Sequence, residues 1–193
     1  MRPFEIVERK SIGHPATVCD ALAERLSVAL CRYYVERFGV VLHHNVDKVL
    51  LRGGAAQPRF GGGEVIEPIE IFLAGRATTR FKGVDVPVKE LAIEGSRAFF
   101  RETFHTLDPD RHVRFHCLVR PGSDDLVDLF LRRLRTGAWL ANDSSIGVGY
   151  APLSPLERGV LAINRLLTSL AVRQRHPAFG EDTKLLALGR GQT

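Results

Sequence analysis

No apolar run in the 193 residues approaches the ~20 needed to cross a bilayer, which argues against a helical membrane span. The first ten residues lack the apolar core of a secretory signal, because Glu5, Glu8 and Arg9 interrupt it, so a cytosolic location is expected. Cysteine is scarce: Cys19, Cys31 and Cys117 have no metal-ligand spacing, and three thiols cannot all pair with one another. Cys19 and Cys31 fall within one predicted helix and read as reduced, packed thiols. Low-complexity linkers and short-period repeats are missing as well, and the length suits one domain or two small ones.

What is present is the composition of an ordinary soluble globular protein, 45% apolar and 25% charged. The net charge of +5 raises the question of nucleic acid. The cations are spread along the chain, however, and the one local cluster, Arg132, Arg133 and Arg135, reads as a solvated helix end. A polyanionic small ligand fits the charge at least as well, the same charge could simply aid solubility, and no nucleic-acid partner is expected.

Periodicity predicts alternating strands and helices. Phe4 to Val7 reads as a short strand leading into the loop Ser11-Ile12-Gly13-His14-Pro15. A helix follows to about Phe38, with Val18, Leu22, Leu26, Leu30 and Tyr33 along one face and Gly39 ending it. Val40 to Leu51 reads as extended and broken near Asn45; after the glycine-rich turn Arg59 to Glu64, an apolar strand covers Val65 to Leu73. Helices are predicted over Val88 to Phe104 and from Ser123 to about Leu134, with a strand over His112 to Val119 between them. Ser154-Pro155-Leu156-Glu157 is a capping box that opens a helix with Leu156, Val160, Ile163, Leu167 and Leu170 on one stripe. Thr183 to Leu188 is the last predicted strand. The class is α+β or α/β.

Polar residues concentrate at four junctions between elements, where function tends to reside. His14, between Gly13 and Pro15, serves either a turn or a site. Gly61-Gly62-Gly63 permits a tight turn, or lets backbone N–H groups approach an anion beside Glu64. Asn142-Asp143 with two following serines is turn chemistry in the simplest reading. Asp182 and Lys184, two apart, share one face of the expected strand, either as an exposed pair or as ligand contacts.

These same loops carry a family resemblance. Ser11-Ile12-Gly13-His14-Pro15-Ala16-Thr17-Val18-Cys19-Asp20 resembles the signature of archaeal-type S-adenosylmethionine synthetase (methionine adenosyltransferase). His43 to Lys48 is similar to a second block of that family, and Pro58 to Ile69 with Ala74-Gly75-Arg76-Ala77-Thr78 to a third. Leu140 to Ser145 with Gly147 to Ser154 resembles a fourth, and Gly180-Glu181-Asp182-Thr183-Lys184 a fifth. The resemblance implies an α+β fold, sheets covered by helices, corresponding to the first half of a three-domain synthetase. Residues 1–140 would form a first unit and 141–193 the start of a second.

The implied reaction joins methionine to ATP: the sulfur attacks the ribose 5′ carbon, expels triphosphate, and the triphosphate is then hydrolysed. Such chemistry needs no protein nucleophile; it rests on positioning and on stabilising a polyphosphate leaving group. By resemblance, His14 would be the catalytic residue at the leaving-group oxygen. Asp182 and Lys184 would hold ribose and phosphate, and Gly122-Ser123 would match a loop linked to ATP, although Arg120 stands where that loop has its first glycine. Glu64 and Asp143 would bind methionine. Mg²⁺ and K⁺ are the implied cofactors, and the implied assembly is a homodimer through sheet faces, with Val65 to Leu73 part of that surface, or a pairing with a second chain.

Two departures stand out. The family's Mg²⁺-binding aspartate after His-Pro is Ala16 here, so no metal ligand is assigned at that position, and the glycine before Ile-Gly-His is Ser11. The chain also spans only about half of that enzyme. The expectations are therefore a synthetase homologue that is impaired alone, or a non-catalytic relative acting as a binding or regulatory partner.

Overall fold

The computed structural model describes residues 4–122, 132, 137 and 146–191. The first helix, α1 (Pro15–Phe38), organises the larger part. Its residues Val18, Leu22, Leu26, Leu30 and Tyr34 are buried at successive four-residue steps, one stripe down the helix. Tyr34, rather than the expected Tyr33, completes the stripe, because it lies four residues beyond Leu30 and its hydroxyl donates to the Thr78 carbonyl at 2.9 Å. Burial raises the pKa of that phenol. Gly39 ends the helix in the left-handed conformation, φ 75°, as its position predicts.

The stripe packs on a three-stranded sheet in the order β2 (His44–Arg52), β5 (Ile69–Ala77), β8 (Val113–Arg120). The central strand runs antiparallel to β2 and parallel to β8. Ile71, Leu73 and Ala77 of β5 are buried, while Glu70, Phe72 and Arg76 alternate onto the other face. A second helix, α2 (Val88–Thr103), adds Ala92, Phe99 and Phe100 to the same core. The short α3 (Pro109–His112), capped by Asp108, turns the chain into β8.

The apolar segment expected as one strand over 65–73 is two. β3 (Ala55–Arg59) and β4 (Gly62–Glu67) form a separate hairpin, and Pro68, which has no N–H to give a ladder, separates it from β5. Within that segment Ile71 and Leu73 face the helices and are fully buried, while Ile66 is exposed and Phe72 lies on the other sheet face. A small hairpin of β6 (Arg80–Phe81) and β7 (Val84–Asp85) precedes α2.

The second sheet has two strands, β1 (Phe4–Lys10) antiparallel to β9 (Lys184–Arg190), joining the chain's first and last described strands. Its cover is α4 (Pro155–Leu167), which opens with the capping box predicted at Ser154 and Glu157. The stripe expected to continue to Leu170 stops at Leu167. Ser169 caps a new short helix, α5 (Leu170–Arg175), and leaves Ile163 and Leu170 exposed. The helix predicted from Ser123 falls almost wholly outside the described residues. Among the described residues, no helix is long and apolar enough to cross a membrane.

Candidate functional site

His14 is the N-cap of α1. Its backbone is extended and its Nδ1 accepts from the Ala16 N–H at 3.2 Å. A ring that accepts at Nδ1 carries its proton on Nε2, so the half-buried imidazole presents an N–H donor beside the positive end of a 24-residue helix. A donor and a helix N-terminus together suit an anionic oxygen.

The loop is held from below by the far end of the chain. The Ser11 N–H donates to Thr183 O at 2.9 Å and the Gly13 N–H to Glu181 O at 3.2 Å. The Ser11 hydroxyl, 1% exposed, donates to the Glu181 carbonyl and accepts from the Thr183 N–H at 2.8 Å. A glycine at position 11 could make neither side-chain bond. Gly13 is required by close approach: a Cβ there would lie 2.5 Å from the Glu181 carbonyl carbon.

Two of the five sequence blocks, 170 residues apart, thus form one structure. Asp182 and Lys184 enter it differently from the expectation. Strand β9 begins at Lys184, so Asp182 lies in the preceding turn and the two do not share a strand face. Lys184 pairs with Glu8 at 2.8 Å, and this bond holds the Glu8 carboxyl below its ordinary value.

The other candidates lie elsewhere. Glu64 is exposed on the β3–β4 hairpin, opposite Gln57, in a different sheet from the strands that flank His14. Gly122 follows β8 at the end of the described stretch. Ser123 and Asp143 lie outside the described residues.

A second concave region was not predicted. Between α1 and the ends of the three-stranded sheet is a cleft of about 920 Å³, bordered by Asp20 and Glu24 of α1, Asp47 and Lys48 of β2, Arg76 of β5 and Arg120 of β8. The volume is in the range of small-ligand pockets. Carboxylates and cations face each other there, an arrangement suited to a ligand carrying both signs of charge. Gly75, at φ 145°, closes its floor where β2 bulges between Asn45 and Lys48; a Cβ would meet Asn45 O at 2.2 Å. The signal for this cleft lies in the sequence: Asp20, Glu24 and Ser27 recur at helical spacing beside the apolar stripe, and Asp47-Lys48 and Arg76 stand inside recognised blocks.

Comparison with known proteins decides the family. The family model described as S-adenosylmethionine synthetase (AdoMet synthetase) matches residues 1–193. The chain belongs to that family. It is 57% identical over 185 residues to a probable S-adenosylmethionine synthase of Aquifex aeolicus, covering 95% of this chain and 46% of that protein. Identity to the S-adenosylmethionine synthase of Aeropyrum pernix is 50% over 193 residues, covering 98% and 47%. Identity to that of Pyrococcus furiosus is 47% over 191 residues, covering 99% and 48%. The chain therefore spans about half the length of the synthases it matches.

Family proteins of this kind imply a metal, so the fit of the residues at the His14 loop matters. Ala16 is exposed in the first turn of α1 and offers a methyl group. The Glu181 carboxylate, close by, is turned toward His105 and Arg173. Neither supplies a free oxygen ligand for a hard cation, and among the described residues no three His, Cys, Asp or Glu side chains are grouped to hold a metal ion, so this loop does not fit the implied Mg²⁺ and no step is routed through a metal.

Proposed function

We propose that the chain is one half of a methionine adenosyltransferase and forms S-adenosylmethionine only together with the remaining half of the family's length. The observation that carries this reading is the docking of the His14 loop on residues 181–183, which sets two signature blocks side by side. In this reading His14 Nε2–H donates to the ribose–triphosphate oxygen as the bond to the 5′ carbon breaks, when negative charge grows on that oxygen. Asp182 bonds the ribose and Lys184 a phosphate, with Gly122-Ser123 alongside ATP. Glu64 and Asp143 take methionine, reached from other elements or a second subunit. Residues 1–140 form the first unit and 141–193 the start of the second, with β1 and β9 joining them. A dimer or second chain, a cytosolic location and Mg²⁺ with K⁺ held by residues of the other half complete the proposal.

Ala16 favours a second reading, a relative that binds without catalysis, because the carboxylate is missing where the signature has one. Calorimetric titration of the 193-residue chain with ATP and with tripolyphosphate tests the half-site directly. Micromolar to millimolar binding is expected, with His14→Ala and Lys184→Ala each weakening it about tenfold, the loss of one charge-assisted hydrogen bond. Binding untouched by both substitutions would place the nucleotide elsewhere.

A further inference from the structure

The loop that carries His14 rests on Glu181, and Glu181 in turn rests on a residue no sequence block contains. The Glu181 side chain is 2% exposed, a carboxylate taken almost entirely out of water. Burial of that kind is costly without close partners. Its Oε1 is 2.6 Å from Nδ1 of His105, which lies in the turn after α2. The other ring nitrogen, Nε2, is 3.0 Å from the Pro177 carbonyl oxygen. With Glu181 as the carboxylate both partners accept, so both nitrogens donate in the protonated ring, the imidazolium. The remaining cation, Arg173 of α5, stands farther off, 3.6 Å from Oε1, and spends a hydrogen bond on the Thr103 carbonyl.

We propose that His105 is a positioning residue of this site: bonded through both ring nitrogens, it fixes Glu181 and the 177–183 turn in the arrangement onto which Ser11 and Gly13 dock. The chain of contact is continuous. His105 holds the Glu181 side chain, the Glu181 carbonyl accepts from Gly13 N–H and the Ser11 hydroxyl, and the residue after Gly13 is His14. The charged groups facing the ring are Glu181, from the turn before β9, and Arg173, from α5; α2 presents the Thr103 carbonyl, which Arg173 caps. Its bond to Glu181 first, and the Pro177 carbonyl second, raise the pKa of His105 above the ordinary histidine value, against the smaller opposing effects of burial and then of Arg173. The stabilisation is thus complete below about pH 6.5, the unfolded value, and is lost as pH rises through the raised folded value. The loop's order should follow the same titration. The role of the loop in catalysis rests on the reading above; the clamp itself does not.

The test uses the full 193-residue chain. Long-range ¹H–¹⁵N spectra over a pH series should show both His105 nitrogens protonated to a higher pH than in the urea-unfolded chain. Amide protection factors at Ser11, Gly13 and Thr183 should fall as His105 deprotonates. His105→Ala should lower those protection factors roughly tenfold to a hundredfold, as loss of a hydrogen bond to a charged group predicts, and leave the β2–β5 ladder unchanged. A His105 that loses its proton at or below the pH at which the unfolded chain does overturns the proposal, as does a loss of protection spread evenly over the β2–β5 ladder. Should the alanine variant not fold, the wild-type pH series decides alone. Nucleotide binding enters none of these readouts, so a failure of the proposed function and a failure of the clamp are told apart.

Discussion

The two sheets of this molecule are finished to different degrees. The three-stranded sheet β2–β5–β8 carries two helices on one face, and its inward side chains, from Val18 to Val113, form one core cluster. The ribbon β1–β9 carries α4 on one face, and on the other it presents Ile6 at 60%, Leu186 at 70% and Leu188 at 68% exposure. Among the described residues of that pair of strands and their cover, Val160 at 4% is the only buried apolar side chain, and it stands outside that cluster. A two-stranded ribbon is marginal by itself, and a clustered apolar face calls for cover. The first region buries a full core on its helix side, although its other face shows Leu50 and Leu118; the second buries almost nothing and reads as one side of a larger assembly. The His14 loop spans the seam between them, leaving β1 and entering α1.

The comparison can be broken first in the region that holds the core. Phe100 is buried at 1% and contacts Phe99, Phe104 and Phe115. Phe100→Ala should cost about 3–5 kcal/mol in urea-induced unfolding, the usual price of a large cavity. A change below about 1 kcal/mol would mean that this core is not the source of the fold's stability.

The seam should respond next. Gly13→Ala forces a methyl group against the Glu181 backbone and should cost about 1–3 kcal/mol as an overpacked contact. It should also separate the two regions' behaviour, so that β9 amides exchange faster while the β2–β5 ladder keeps its protection. Equal loosening of both would show a single cooperative body without a seam.

On the ribbon, Ile6→Ser with Leu188→Ser removes apolar surface that this chain does not bury. Stability should stay within about 0.5 kcal/mol, as for exposed sites, while light scattering at micromolar concentration shifts toward the 21.4 kDa monomer. A wild-type chain that is already a clean monomer at every concentration would remove the need for a covering partner.

The physics behind this contrast also explains what could be read in advance. The α1 stripe up to Leu30, the Gly39 cap, the Ser154 capping box and the alternation of β5 are local patterns, and each stands where its spacing put it. Even the break expected near Asn45 appears, as a bulge. The failures share a cause: each concerned which elements pair. Pro68 splits one apparent strand into two sheets, Leu167 ends a helix whose apolar stripe runs on, and Asp182 misses the strand by two residues. The residues at Asp20, Lys48 and Arg76 carried a local signal, but their meeting in one cleft is a product of tertiary arrangement, since its walls come from four elements. His105 was hidden for the same reason, because nothing near it in sequence marks Glu181, 76 residues away, as its partner.

The central claim is that this chain supplies half of an adenosyltransferase site. Labelled methionine, ATP, Mg²⁺ and K⁺ incubated with the chain alone, and with a polypeptide carrying the other half of a family member, test it most directly. The account predicts product only in the mixture, abolished by His14→Ala. Turnover by the 193-residue chain alone at the rate of a full-length relative would contradict it.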